Sequence, residues 1–170
     1  KIVQELLTNS KFAVIKGNVS EIMSIEGMGA NTKGVDASEE DQNKDIYHIV
    51  QICKNISEKY DSVVTATGKN DIIVYKNDAY VVKNGVAYMS KITGTGCMSA
   101  SVTASFVAAN KDDFLLSTVY AIATMGIAGE IAYKKTKELG SGSFRVALID
   151  EISMMNEEKF EKYAKIEKIS

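Results

Sequence analysis

The sequence predicts an α/β sandwich with a mostly parallel central sheet, and three observations carry that prediction. Short β-branched runs, "FAVIK" and "SVVTATG", alternate with longer amphipathic stretches. That alternation is the mark of strands crossing over through helices. A turn-rich stretch from Asp71 to Ile92 adds a small antiparallel meander to this pattern. No internal repeat, low-complexity segment or linker divides the 170 residues, so residues 1–170 read as part of one domain.

Each element follows in order. "IVQELL" ends a helix with Ile2, Leu6 and Leu7 on one face, and "FAVIK" (12–16) is a short buried strand. "GNVSEIMSIEG" opens a helix capped by Asn18 or Ser20, with Glu21 in its first turn. Gly27, Gly29 and Gly34 make "GMGANTKG" a loop. Ser38 starts a long amphipathic helix with Asp41 at the capping-box position and a stripe of Ile46, Ile49, Val50, Ile52, Cys53 and Ile56.

"SVVTATG" is the next buried strand. Three short strands follow, joined by turns at Asn77-Asp78 and Asn84-Gly85, the second a hairpin signal. After "KITGTGC" comes a helix from about Cys97 to Ala109, then an apolar helix capped by Asp112 or Asp113 and running to about Leu139. "GSGSF" reads as a loop, "RVALID" as a strand or strand–helix junction, and Asn156 to about Lys165 as a last amphipathic helix.

Composition excludes several classes of function. With 45% hydrophobic and 25% charged residues and a net charge of -2, the chain has no field to attract nucleic acid or anionic lipid. The longest apolar tract, Leu115 to Gly129, is broken by Ser117 and Thr118. It falls short of the ~18–20 residues a membrane span needs, so it is expected to be a buried helix. The opening residues carry no signal-peptide core. Two cysteines without a CxxC, and the single His48, leave no disulfide framework, no histidine-based zinc set and no Ser–His–Asp triad. These features point to a reduced, cytoplasmic compartment.

Ligands of open α/β sheets sit at the carboxyl ends of the strands, and three loops are expected there: "KGNVSE", "TGKND" and "TGTGC". Gly94 and Gly96 permit positive φ and close approach of a ligand to the backbone. The helix behind them, with Thr95 and Cys97 in its first turn, offers unpaired N–H groups to an anion such as a transferring phosphoryl group. The same glycines also suit plain tight packing. A helix N-terminus favours the thiolate form of cysteine, which would make Cys97 a weak general base; the bland alternative is a small space-filling side chain.

Glu21 stands three residues after Asn18, and a single carboxylate with waters is enough for Mg²⁺. Lys16 reaches a nucleotide phosphate as a point charge, and the Thr67 hydroxyl can bond phosphate, ribose or merely backbone. A capping glutamate and a solvated lysine are the plain alternatives. Asp71 is expected to terminate its turn. A dinucleotide fold is the first rival, since Ser99 completes G-x-G-x-x-small and Asp112 lies downstream. That fingerprint belongs on the first strand of a βαβ unit, however, and here a meander precedes it. No G-x-x-x-x-G-K-[ST] P-loop is present.

Taken in order, "VIKGNVSEI", "KGVDA", "TATGKNDII", the meander, "KITGTGCMSASVTASF" and "GSGSF" resemble hydroxyethylthiazole kinase, a family of the ribokinase-like superfamily. The likeness runs over essentially the whole chain. It implies a ribokinase-like three-layer α/β/α sandwich and ATP-dependent phosphorylation of the primary alcohol of 4-methyl-5-(2-hydroxyethyl)thiazole, in thiamine biosynthesis or salvage. By the resemblance, Lys16 (usually arginine) and Thr67 contact ATP, Asn18 and Glu21 serve Mg²⁺ partly through water, and Gly94 lies against the thiazole alcohol. Cys97 stands where most ribokinase relatives carry an aspartate base and thiazole kinases carry cysteine. Gly94, Thr95, Gly96 and Cys97 together form the expected catalytic turn.

The resemblance further implies a homotrimer with thiazole sites at subunit interfaces. Family members are longer at the N-terminus. The start at Lys1 and the absence of proline lead us to expect the C-terminal part of a single kinase domain, lacking the first strands, a thiazole-contacting methionine and a proline-containing Asp motif. Two other readings stay open: a catalytically silent nucleotide- or thiazole-binding module, and a dinucleotide-binding oxidoreductase domain.

Overall fold

A computed structural model describes residues 2–27 and 39–170, with side chains described at 2–27 and from 45 onward. The expected Gly29 and Gly34 loop, the Ser38 helix start and the Asp41 capping position lie outside these residues or side chains. Two compact units emerge, one of residues 1–81 with 168–170 and one of residues 82–167.

The first unit is built on strands. Its elements are α1 (Ile2–Asn9), β1 (Val14–Asn18), α2 (Val19–Glu26), α3 (Glu39–Tyr60), β2 (Val63–Thr67), β3 (Asp71–Tyr75) and most of β4 (Asp78–Val82). β1 pairs with β2 in parallel, Val14 opposite Val63 and Asn18 opposite Thr67, while β2 pairs with β3 antiparallel. Val63 to Ala66 are all buried, as befits a strand covered on both faces. The predicted stripe of α3 supplies Val50, Ile52, Cys53 and Ile56 to the core around Ile15, Ile22, Val64 and Val74. On α1 only Leu7 is buried, with Ile2 and Leu6 exposed.

The sheet runs β1-β2-β3-β4-β5, and its last strand was not expected from the sequence. β5 (Ile166–Lys168) is only three residues long. It is held by Ile169 N–H donating to Ala79 O at 2.9 Å and Ala79 N–H donating to Ser170 O at 3.0 Å. This corrects the three-strand meander: β3 and β4 form the hairpin, with Lys76 at φ 52°, and the chain end takes the place of the third strand. Asn84-Gly85 makes no hairpin because its polar groups are committed elsewhere. Asn84 Nδ2 donates to Tyr163 O at 2.9 Å, Lys165 N–H donates to Asn84 Oδ1 at 2.7 Å, and Gly85 N–H donates to Glu130 Oε1 at 2.9 Å. A short 3₁₀ turn, Ala87–Lys91, follows instead.

The second unit is helical: α4 (Thr95–Ala109), α5 (Phe114–Thr136), α6 (Ser141–Ser153) and α7 (Glu157–Tyr163). α5 corrects an expectation, being 23 residues long and apolar enough to cross a membrane by length and composition alone. Serine and threonine do not shorten it, since Thr118 returns its hydroxyl to Phe114 O at 2.7 Å. It is nonetheless a core helix, buried along most of its length from Ser117 to Thr136 and packed by α4 and α6.

"GSGSFRVALID" is also corrected, from a loop followed by a strand or strand–helix junction to the N-cap and most of α6. Phe144, Leu148 and Glu151 are buried at helical spacing, and burial of that face outweighs the cost of Gly142 and the β-branched residues. Glu151, 1% exposed, is clamped by Lys135 Nζ at 2.5 Å and Lys159 Nζ at 3.1 Å.

Candidate functional site

At the carboxyl ends of β1 and β2 the first unit gathers four of the expected residues. Asn18 caps α2 in a reciprocal box: Glu21 N–H donates to Asn18 Oδ1 at 2.9 Å and Asn18 N–H donates to Glu21 Oε2 at 2.8 Å. Gly17 is what lets Glu21 fold back. A Cβ there would come within 2.9 Å of Glu21 Oε2 and 3.0 Å of its Cβ. Thr67, opposite Asn18 in the parallel register, donates its hydroxyl to Gly17 O at 3.2 Å. Lys16 is half-buried on the same strand end.

Asp71 closes this cluster in the turn-ending role expected for it. Its Oδ1 accepts the Gly68 N–H at 2.9 Å, which fixes the turn after Thr67. Burial pushes its pKa up to about 6, against the opposing pull of the Gly68 N–H and the Lys16 charge. The sequence signal was available: an Asp three residues after the glycine of "TGKND" has the spacing to close the turn from its far side.

The second unit carries the glycine turn. Gly94 is the N-cap of α4 at φ 96°, a conformation L side chains rarely adopt. A Cβ at Gly94 or Gly96 would meet nothing within 4 Å, so tight packing is not why glycine stands there. α4 begins at Thr95, two residues before the expected start, and this puts the N–H groups of Thr95, Gly96 and Cys97 in the unpaired first turn. Cys97 is exposed, whereas Cys53 is buried. Thr95 turns its hydroxyl inward, within 3.2 Å of both Met89 O and Ile92 O. It therefore offers a ligand its backbone and not its side chain.

Beside this turn α4 and α6 leave an open, mainly apolar cleft of about 550 Å³. Gly94, Cys97 and Met98 line it from α4 and its cap, Arg145, Ile149 and Ile152 from α6. Two of the three predicted loops thus meet within one unit, at Asn18, Glu21, Thr67 and Asp71. The third, at Gly94 to Cys97, belongs to the other.

Among the described residues no group of three or more His, Cys, Asp or Glu gathers as a metal cluster. The donor set nevertheless suits a hard cation that keeps its waters. Glu21 is exposed, the cap takes its Oε2, and Oε1 is the oxygen left to face a cation or its water shell. Asn18 Oδ1 is already engaged by the cap, so its part is chiefly to aim Glu21.

The model of the hydroxyethylthiazole kinase family matches residues 1–158. A hydroxyethylthiazole kinase of Clostridium tetani is 47% identical over 165 residues, covering 97% of this chain and 60% of the relative. One from Clostridium botulinum is 40% identical over 170 residues, covering 100% of this chain and 61% of the relative. The chain thus spans about three-fifths of the length of these curated relatives. A solved hydroxyethylthiazole kinase structure from Pyrococcus horikoshii aligns with a TM-score of 0.82 at 30% identity, covering 99% of this chain and 59% of that one. A Thermotoga maritima structure described as a possible 1-phosphofructokinase, at TM-score 0.53 and 17% identity over 99% of this chain and 45% of that one, shares the fold alone.

Proposed function

The chain belongs to the hydroxyethylthiazole kinase family, and from that premise we propose that the whole protein transfers the γ-phosphoryl group of ATP to the alcohol of 4-methyl-5-(2-hydroxyethyl)thiazole. The observation that carries this reading is an exposed cysteine in the first turn of α4, directly behind an uncrowded glycine turn at positive φ. Phosphoryl transfer asks for positioning and charge neutralisation more than for covalent chemistry, and such a turn supplies both.

In this mechanism Lys16 and the Thr67 strand end meet the phosphates of ATP. Glu21, aimed by Asn18, would hold Mg²⁺ partly through water, and the ion would supply charge neutralisation at the transferring phosphate. N–H groups from Gly94 to Cys97 take up negative charge as the alcohol attacks in line. Cys97 accepts the alcohol proton late in the transfer, since a loose transition state needs little help from a base. The apolar walls of the α4–α6 cleft suit the methylthiazole ring, with Gly94 at the alcohol. We further assign the protein to the cytoplasm, with its thiols reduced, and to a homotrimer whose thiazole sites lie at subunit interfaces.

An ATP-consumption assay with the thiazole alcohol tests this reading on the full-length protein. ADP and phosphorylated alcohol should appear in equal amounts. Binding of either ligand without ADP would instead identify a silent binding module. Hydride-transfer absorbance with bound NAD would identify the oxidoreductase.

A further inference from the structure

We propose that Met89, seated on Gly129 of α5, is the positioning residue that holds the Gly94–Cys97 turn in its phosphoryl-binding geometry; this rests on the kinase reading above. α5 carries two glycines one turn apart, and both are occupied. A Cβ at Gly126 would fall 2.7 Å from the Asn84 backbone, and one at Gly129 would overlap the Met89 sulfur, with Met89 Cγ at 3.2 Å. The two glycines therefore leave a bare strip on which the Asn84–Met89 segment lies directly. Glu130, the next residue, secures the near end by accepting the Gly85 N–H at 2.9 Å.

The far end reaches the turn in two steps. Met89 O accepts the Ile92 N–H at 3.2 Å and lies 3.2 Å from the Thr95 hydroxyl, which is also 3.2 Å from Ile92 O. Gly94 stands immediately before Thr95 as the cap of α4. A shift of Met89 on its seat thus moves the carbonyl to which the first helical residue is tied. The Gly126 contact is backbone against backbone and cannot yield. At Gly129 the neighbour is a flexible side chain, so an added methyl group displaces Met89 without breaking the packing.

Gly129→Ala in the full-length protein tests this with two readouts. Turnover of the thiazole alcohol should fall about tenfold at nearly unchanged KM for ATP, the scale expected when a catalytic group is misplaced by a fraction of an ångström. The rate at which iodoacetamide alkylates Cys97, followed by peptide mass spectrometry, should change at least about threefold as the first turn moves. Cys53 does not compete, because burial pushes its thiol up to about 12. Met89→Ala, which empties the seat, should shift both quantities too, and the Met89→Ala/Gly129→Ala pair should be little worse than the worse single variant, because both act through one contact.

Wild-type turnover and wild-type alkylation in a folded Gly129→Ala variant would overturn the assignment, as would a double variant whose losses are the simple sum of the two singles. If the wild-type protein phosphorylates no thiazole alcohol, the kinase reading fails and the alkylation arm alone decides whether Met89 holds the turn. If Gly129→Ala does not fold, Met89→Ala carries the same test: a changed alkylation rate supports the assignment and an unchanged one overturns it.

Discussion

Asn18 and Glu21 hold each other through two reciprocal hydrogen bonds, 2.8 and 2.9 Å long, that both cap α2 and aim a carboxylate at the carboxyl end of β1. The capping is thus a property of this pair, and substitutions can separate it from the metal binding proposed for Glu21. Glutamine serves a capping box nearly as well as glutamate. Glu21→Gln should thus keep its melting temperature, losing less than about 1 kcal/mol, while the Mg²⁺ concentration for half-maximal activity rises at least about tenfold. Asn18→Ala should lower the melting temperature and also raise the Mg²⁺ concentration needed. A Glu21→Gln enzyme with unaltered Mg²⁺ dependence would remove Glu21 from the site.

How much of this was legible in the sequence depends on the range of the forces involved. Asn18, Glu21 and the positive-φ glycine at Gly94 are local devices, fixed within four residues, and periodicity alone identified the buried stripe of α3. What escaped was tertiary. β5 is three residues long and exists because Ala79 has a free edge to offer Ile169 and Ser170. The Asn84-Gly85 hairpin signal lost to Glu130, Tyr163 and Lys165, which lie far along the chain. Asp71 was legible as turn chemistry, but nothing in "GKND" reports that its carboxyl is desolvated.

Cys97 is exposed at the head of α4, with room for a different acid–base group. Cys97→Asp should remain active, because a carboxylate there can accept the same proton from the alcohol. A dead, well-folded Asp variant with normal ATP binding would refute the role assigned to the thiol. Steady-state kcat with the thiazole alcohol is the measurement.

At Gly94 the prediction rests on backbone and not on bulk. No atom would crowd an added Cβ, but φ 96° penalises any L side chain, by about 1–3 kcal/mol for a strained conformation. Gly94→Val should therefore either destabilise the protein by that amount or relax the turn and abolish turnover. Thermal melting and kcat measured together separate the two, and unchanged values of both would remove this turn from the mechanism.

Glu151 sets up an asymmetric test. Its burial would raise its pKa, but Lys135 from an exposed position and Lys159 from a half-buried one reach it and together hold it below the usual glutamate range. Replacing Glu151 by Gln removes the buried charge and leaves two lysines free to reach water, a loss of about 1 kcal/mol. Replacing both lysines by methionine strands the carboxylate, at about 3–5 kcal/mol. Either lysine alone should be backed up by the other. Urea unfolding of these four variants distinguishes this clamp from an ordinary surface pair, for which all would be nearly neutral.

Asp71 gives the pH dependence its sign. Burial raises its folded-state pKa from 3.8 to about 6, so the folded protein holds a proton that the unfolded chain has already released. Stability from this group is consequently greatest below pH 3.8 and declines as pH rises through the window up to about 6. Asparagine keeps an oxygen for the Gly68 N–H and has no charge to desolvate. Asp71→Asn should therefore melt higher than wild type at pH 7, and the two curves should converge as pH falls below 4. The ionised carboxylate also balances Lys16, so the variant should bind ATP phosphates more tightly at neutral pH if Lys16 meets them. Equal melting temperatures across the whole range would mean that Asp71 reaches water freely, and the link to Lys16 would fall with it.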